Sequence, residues 1–270
     1  MELSKRLQAV ADLLDCHDKI ADIGCDHGFV SIYLIESKKA RRCLAMDVNK
    51  GPLERAKEHV MEKRLSTYIE TRLSDGARAI QFIEKEDGKR ELEVEAALIA
   101  GMGGRLMIQI LQDSLDKFQS MEEFVLQPQS EIAKVRQFVR EIGYHIERED
   151  MILEDGKYYP MMKVVRGEKK LSGLVNNITN DSDGQSHQKE ENYISETKLL
   201  RLFDEYGEHL LKEKHPVLLQ FLKKEKVLYE EILGKILKQD SVKSEERQEE
   251  IREKLKYINL GLEWFEHEMQ

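Results

Sequence analysis

Asp22-Ile23-Gly24-Cys25-Asp26-His27-Gly28 joins a short apolar run, Lys19–Gly24, to the helix-like segment Phe29–Glu36. A strand that turns into a helix through glycines lets backbone approach a ligand closely and aims the helix N-terminus at it. The dinucleotide fingerprint GxGxxG is absent, because Cys25 and Asp26 follow Gly24. Two carboxylates in such a loop would repel a pyrophosphate. They suit a nucleoside ligand that carries positive charge, and S-adenosylmethionine, with its sulfonium and ammonium, fits that description. Asp22 and Asp26 are the candidates for its amino-acid moiety, with Gly24 and Gly28 giving backbone access. His27 can serve as acid or base, or simply hydrogen-bond beside the cofactor. Taken alone, an ordinary Asp-Gly turn also accounts for the loop, so its surroundings decide the reading.

Outward from the loop, strand-like and helix-like segments alternate. Leu3–Leu14 reads as a helix, Arg42–Asp47 as a strand, and a helix runs from about Pro52 to Lys63. Thr67–Leu73 and the apolar Glu95–Ala100 are strands, and a helix follows to about Asp116. Glu123–Gln127 is a strand stopped by Pro128, and Glu131–Ile142 a helix. Tyr144–Leu153 and Tyr158–Val165, around the turn Glu154-Asp155-Gly156-Lys157, form a closing hairpin. The class is α/β, with a Rossmann-like, seven-stranded methyltransferase sheet. The apolar strand interiors are core and need no function to explain them.

The strand ends supply the remaining candidates. Asp47, followed by Val48 and Asn49, stands where a carboxylate accepts both ribose hydroxyls. Ser74-Asp75-Gly76 closes the third strand, where related sheets contact an adenine ring. Ala100-Gly101-Met102-Gly103-Gly104 closes the fourth, read as a turn that clears space for cofactor and a planar acceptor. Met102 is placed to pack on a ring. Gln127-Pro128-Gln129 ends the fifth. Arg6, with Lys5, lies on the first helix, near enough to cover a cofactor or simply solvated. Tyr158 and Tyr159 are candidates for stacking on a substrate base, and equally for packing.

Of 270 residues, 35% are charged and 40% hydrophobic, which suits a globular domain joined to a long charged helical part. The expected division is a methyltransferase domain over 1–165, a polar linker over 166–192 and a helical coiled-coil domain over 193–270. Ile194–Lys214, Pro216–Gln239 and Ser244–Met269 read as helices. Leu218, Leu222, Val227, Leu228, Ile232, Leu233 and Ile236 form one stripe. Ile251, Leu255, Ile258, Leu262 and Phe265 form another, as in an antiparallel hairpin with its own seam and a turn at Asp240–Lys243. Three cysteines without metal-ligand spacing argue against both a metal site and a disulfide framework. No eighteen-residue apolar run and no secretory signal is present, so a cytoplasmic protein is expected. Net charge of −9 disfavours nucleic acid except through a local basic patch. Lys212, Lys214, Lys223, Lys224 and Lys226 form the densest such run, as much a solvated helix face as a phosphate footprint.

Together these segments resemble the bacterial tRNA adenine-22 N1-methyltransferase family, often called TrmK. The similarity rests on LSKRLQAVADLL, IADIGCDHG, MDVNKGPLERA, LSDGARAI, ALIAGMGG, LQPQSE and EDGKYYPM. The resemblance implies transfer of a methyl group from S-adenosylmethionine to N1 of one adenine in tRNA. It also implies that the helical hairpin helps hold the tRNA, with Lys212, Lys214, Lys223 and Lys224 and the two tyrosines on the substrate side. Asp26 is then the first choice for stabilising the cationic product ring, and Met102 for packing against the base. The protein is expected as a monomer or weak homodimer. Two other classes stay open on the residues alone: a methyltransferase for protein or small molecules, and a non-enzymatic S-adenosylmethionine-responsive adaptor. Methylation of unmodified tRNA separates the three.

Overall fold

The computed structural model describes residues 3–85, 88–167, 195–237 and 242–266. The chain forms two compact units, Met1–Glu168 and Lys169–Gln270. In the first unit the order is α1 (Lys5–Leu13), β1 (His17–Ile23), α2 (Phe29–Glu36), β2 (Ala40–Asp47), α3 (Lys50–Glu62) and β3 (Ile69–Leu73). A small hairpin, β4 (Phe82–Glu84) with β5 (Arg90–Leu92), comes next. The unit continues with β6 (Ala96–Met102), α4 (Gly104–Asp113), α5 (Leu115–Phe118), β7 (Glu123–Pro128), α6 (Ile132–Glu141), β8 (Tyr144–Glu154) and β9 (Lys157–Arg166).

Seven strands form one sheet in the order β3-β2-β1-β6-β7-β9-β8. The first five run parallel, and β9 pairs antiparallel with both β7 and β8. Strand order reverses between β1 and β6, and in such sheets the crevice at the carboxyl ends of those strands is where ligands bind. Alternation along β1 sorts its side chains. Ala21 and Ile23 join the buried cluster beneath α4 and α6, while Ile20 belongs to the cluster beneath α1, α2 and α3. Asp22 shares the parity of Ile20, so the strand carries a carboxylate into an apolar layer.

The sheet and helices follow the sequence reading, with local corrections. β6 does not stop at Ala100. It runs to Met102 through a bulge between Ala100 and Met102, which the left-handed Gly101 (φ +78°) permits. The helix expected to reach Asp116 breaks at Ser114 (φ −136°, ψ 34°), and α5 carries Phe118 into the core. The β4/β5 hairpin, three residues a strand, was not anticipated, since strands so short and charged carry no periodic signal.

In the second unit, α7 (Glu196–Tyr206) starts at Ser195, whose side chain accepts from the Lys198 amide. Gly207 (φ +89°) separates α7 from α8 (Glu208–Lys212), where the sequence suggested one helix. α9 (Pro216–Ile236) is opened by Pro216 in its first turn, and α10 is Val242–Glu266. α10 packs against α9, α7 and α8, burying Leu202, Phe203, Leu211, Leu222 and Ile258. The expected seam is therefore only partly a hairpin seam. Leu218 and Leu222 are buried, but Val227 and Leu228 are exposed. The proposed linker, beyond Arg166 and Gly167, lies outside the described residues, as do Asp240 and Ser241 of the proposed turn.

Candidate active site

At the carboxyl ends of β1, β2, β3 and β6 a cavity of about 500 Å³ opens, within the size range of small-molecule sites. Of the residues singled out from sequence, Arg6, Asp22, Gly24, Asp26, His27, Asp47, Val48, Asn49, Ser74, Asp75, Gly76, Ala100, Gly101 and Met102 line it. Gly28 and Gly103 do not. Each is instead the cap residue of the helix that follows, α2 and α4 respectively. Gly28 is needed for packing, because a Cβ there would press on the Ala56 backbone and side chain of α3.

Gly24 (φ +79°) lies under Met102, whose terminal methyl would collide with any Cβ at that position. Met102 thus packs on the loop backbone, with its side chain still facing the cavity. Asp22 is 2% exposed and accepts a hydrogen bond from Ser31 Oγ at 2.7 Å. Burial pushes its carboxyl up to about 6; the Ser31 bonds pull it down, and nearby Asp47 raises it further. Its charged neighbour is thus another acid. A cationic ligand is the compensation such a site favours, and an anionic one would add to the repulsion. Asp26 is different: a non-glycine residue at φ +47° with a side chain 67% exposed, 3.6 Å from His27 Nε2.

Asp47 is buried at the end of β2, and its Oδ1 accepts from the Asn49 amide at 2.8 Å, which orients the carboxylate. The Ser74 amide donates to the Asp47 carbonyl at 2.9 Å and ties the third strand end to the second. Asp75 is held by Arg78 at 2.7 Å, and Arg78 reaches Asp113 at 2.6 Å. His27 stacks on Phe29 with centroids 5.4 Å apart, and Phe29 on His59 at 4.8 Å. Cys25, although in the loop, is buried, and burial raises its thiol far above the usual range, so it is no nucleophile. All three cysteines are free. Among the described residues no cluster of His, Cys, Asp or Glu could hold a metal, and no helix is long and apolar enough to cross a membrane.

Phe29, Leu106 and Ile110 also line the cavity and escaped the sequence reading. Gln129, named there only as part of a strand end, lines it too. Gln127 was named with it and given no role. It is fully buried at the end of β7, its Oε1 accepting from Arg6 Nη1 at 2.8 Å and from the Gly101 amide at 3.1 Å. A polar residue closing the apolar run Phe-Val-Leu was the available signal. Tyr159 is not a lining residue; its ring lies 5.2 Å beneath the Arg6 guanidinium. Tyr158 is half-buried beside it on β9, opposite Leu153.

The four lysines belong to the second unit. Lys212 Nζ bonds Glu208 Oε1 one turn back at 2.8 Å, Lys214 takes a left-handed conformation (φ +50°), and Lys223 and Lys224 are exposed on α9. Lys212 is thereby partly neutralised, which weakens it as a phosphate ligand.

A methyltransferase domain family matches residues 3–162. The chain is 32% identical over 169 residues to the tRNA (adenine(22)-N(1))-methyltransferase of Bacillus subtilis, covering 63% of this chain and 67% of that one. The chain belongs to the TrmK family. The B. subtilis TrmK crystal structure, 26% identical, superposes with a TM-score of 0.75 over 97% of this chain and 99% of that one. Streptococcus pneumoniae Sp1610, solved in complex with S-adenosyl-L-methionine, is 27% identical, with a TM-score of 0.74 over 97% and 100% of the two chains. S-adenosylmethionine is the cofactor of this TrmK fold. The cavity suits it on its own terms: a buried acid set beside a second acid, and an oriented carboxylate at the second strand end.

Proposed function

We propose that this chain methylates N1 of adenine 22 in tRNA, using S-adenosylmethionine, in the cytoplasm where such a substrate is made in bacteria. One observation carries the reading: a cavity at the reversal of strand order, lined by Asp22 and Asp47, in a chain of the TrmK family. Bound there, the cofactor supplies an electrophilic methyl on a sulfonium. Asp47 would hold its ribose, the Ser74–Gly76 segment its adenine, and Asp22 with the Gly24 backbone its amino-acid end.

N1 of neutral adenine has an in-plane lone pair, so no base is needed to free it. The chain's work is then to position, and to keep water from, the acceptor nitrogen. Met102, at the bulged end of β6, provides an apolar surface for the base. Asp26, exposed at the cavity, would stabilise the positive ring that forms. Extrusion of the base from folded tRNA would expose N1 to this site. Lys223, Lys224, Lys212 and Lys214 are the proposed phosphate contacts, which predicts steep loss of tRNA binding with added salt. The test is labelled methyl transfer from S-adenosylmethionine to unmodified tRNA by the purified full chain. Cofactor binding without transfer would refute the reading.

A further inference from the structure

We propose that Gln127 is a positioning residue for methyl transfer: its buried amide fixes the Arg6 guanidinium and the Gly101 backbone on the acceptor side of the cavity. The inference rests on the methyltransferase reading above.

A buried primary amide is destabilising unless its polar atoms are bonded, and Gln127 is 0% exposed at the end of a wholly apolar run. Its Oε1 uses both lone pairs. One accepts from Arg6 Nη1 at 2.8 Å, the other from the Gly101 amide at 3.1 Å. Its Nε2 donates to the Pro128 carbonyl at 3.2 Å. Three separate elements, α1, the end of β6 and the end of β7, therefore meet on one side chain. The bulge leaves Gly101 outside the β6/β7 register, between the pairs Ala100–Gln127 and Met102–Pro128. At that bulge the Gly101 amide donates to the Gln127 side chain.

The strand order places this junction. Asp47 ends β2 and Asp75 follows β3 on one side of β1, whereas Gly101 and Gln127 lie at the ends of β6 and β7 on the other. Arg6, Gly101, Met102 and Gln129 line the cavity there, and both Arg6 Nη1 and Gln129 Nε2 stand 3.8 Å from where a Gly101 Cβ would be. Arg6, expected from the sequence near enough to cover a cofactor, lines this end of the cavity. Gln127 grips its guanidinium in front, and the Tyr159 ring supports it at 5.2 Å. A guanidinium has five donors, so one bond to Gln127 leaves others for the substrate. A cation against a ring that becomes cationic would oppose the reaction. The remaining donors therefore serve a phosphate of the extruded nucleotide, for which a planar fork is suited.

The test measures tRNA methylation, cofactor affinity and thermal melting for the wild type, Gln127→Leu, Gln127→Glu, Arg6→Met and the Arg6→Met/Gln127→Leu double variant. Gln127→Leu should lower kcat/KM for tRNA about thirtyfold, with the dissociation constant for S-adenosylmethionine within about twofold. Gln127→Glu keeps both acceptor bonds but pairs the Arg6 charge and sets an acceptor against the Pro128 carbonyl, so it should recover only part of the loss. Arg6→Met should reproduce the loss from the partly exposed side of the contact, and the double variant should be no worse than either single one. If Gln127→Leu does not fold, Arg6→Met and Gln127→Glu still decide the matter. Wild-type rates in Arg6→Met or Gln127→Leu, multiplicative losses in the double variant, or loss through cofactor affinity would overturn the proposal. A wild-type protein that methylates no tRNA would instead overturn the functional reading, and this inference with it.

Discussion

At the amino-terminal ends of the parallel strands, Lys163 is 3% exposed and lies 2.6 Å from Asp15 and 2.8 Å from both Glu123 and Glu147. At the carboxyl-terminal ends, Asp22 is as deeply buried, yet it has Ser31 and the acid Asp47 beside it. The sheet is the same; the treatment of charge is opposite. Burial pushes Glu123 up, but His17 at 2.9 Å, Lys163 and the Asp15 amide more than offset it, and its carboxyl is held below the usual range. Asp22 goes the other way, to about 6. A buried charge that its own protein neutralises is a fastening. One set beside a second acid is where a cationic ligand would gain most.

Lys163→Met should have the largest effect. It leaves Glu123, Asp15 and Glu147 facing one another without their cation, and should destabilise the first unit by about 3 kcal/mol. Cofactor affinity should stay within about twofold, since the cluster is at the far end of the strands. Denaturant unfolding and calorimetric binding check both halves, and a matching loss of affinity would break the separation of the two ends.

Asp22→Asn should do the reverse. The amide keeps an acceptor for Ser31 but removes the buried charge, so melting temperature at neutral pH should rise while S-adenosylmethionine affinity falls about thirtyfold. A variant that is destabilised and still binds would show Asp22 to be a fastening like Glu123.

The smallest effect is in pH. An ionised Asp22 would attract the cationic cofactor, so affinity should be level above about 6 and fall up to about tenfold per pH unit below it. The fall should vanish in Asp22→Asn. Stability separates the two ends as well. The folded Asp22 binds its proton more tightly than the unfolded chain, whose value is near 3.8, so its contribution declines as pH rises from there to about 6. Glu123 has a depressed folded value, so its contribution is present above the ordinary 4.5 and is lost as pH falls through the folded value. Unfolding curves from pH 3 to 7 on the two single variants, Asp22→Asn and Glu123→Gln, resolve the opposite slopes.

The loop, Asp47, Asp75 and the Gly101–Gly104 run could be read from sequence because each is a local event at a strand end, where residue type and spacing carry the signal. The parallel sheet followed from alternation; its strand order came from the structure. The Arg6–Gln127 bond could not be read, as its partners are 121 positions apart and neither belongs to a motif with a fixed spacing. Lys163 is similar: within the strand Lys157–Arg166 it reads as one polar position among apolar ones, and only the fold brings three acids to it. The stripe on α9 was over-read. Helical periodicity identifies an apolar face but not what covers it, and Val227 and Leu228 remain exposed.

The destination of the methyl group decides between the functional readings. Unmodified tRNA treated with the purified chain and S-adenosylmethionine should carry one new methyl, at N1 of adenine 22, seen as a reverse-transcription stop there and as 1-methyladenosine by mass spectrometry. Replacing that adenine by guanine should abolish transfer. A methyl found at another position or another atom, or unchanged transfer to the guanine-substituted tRNA, would contradict the proposed function.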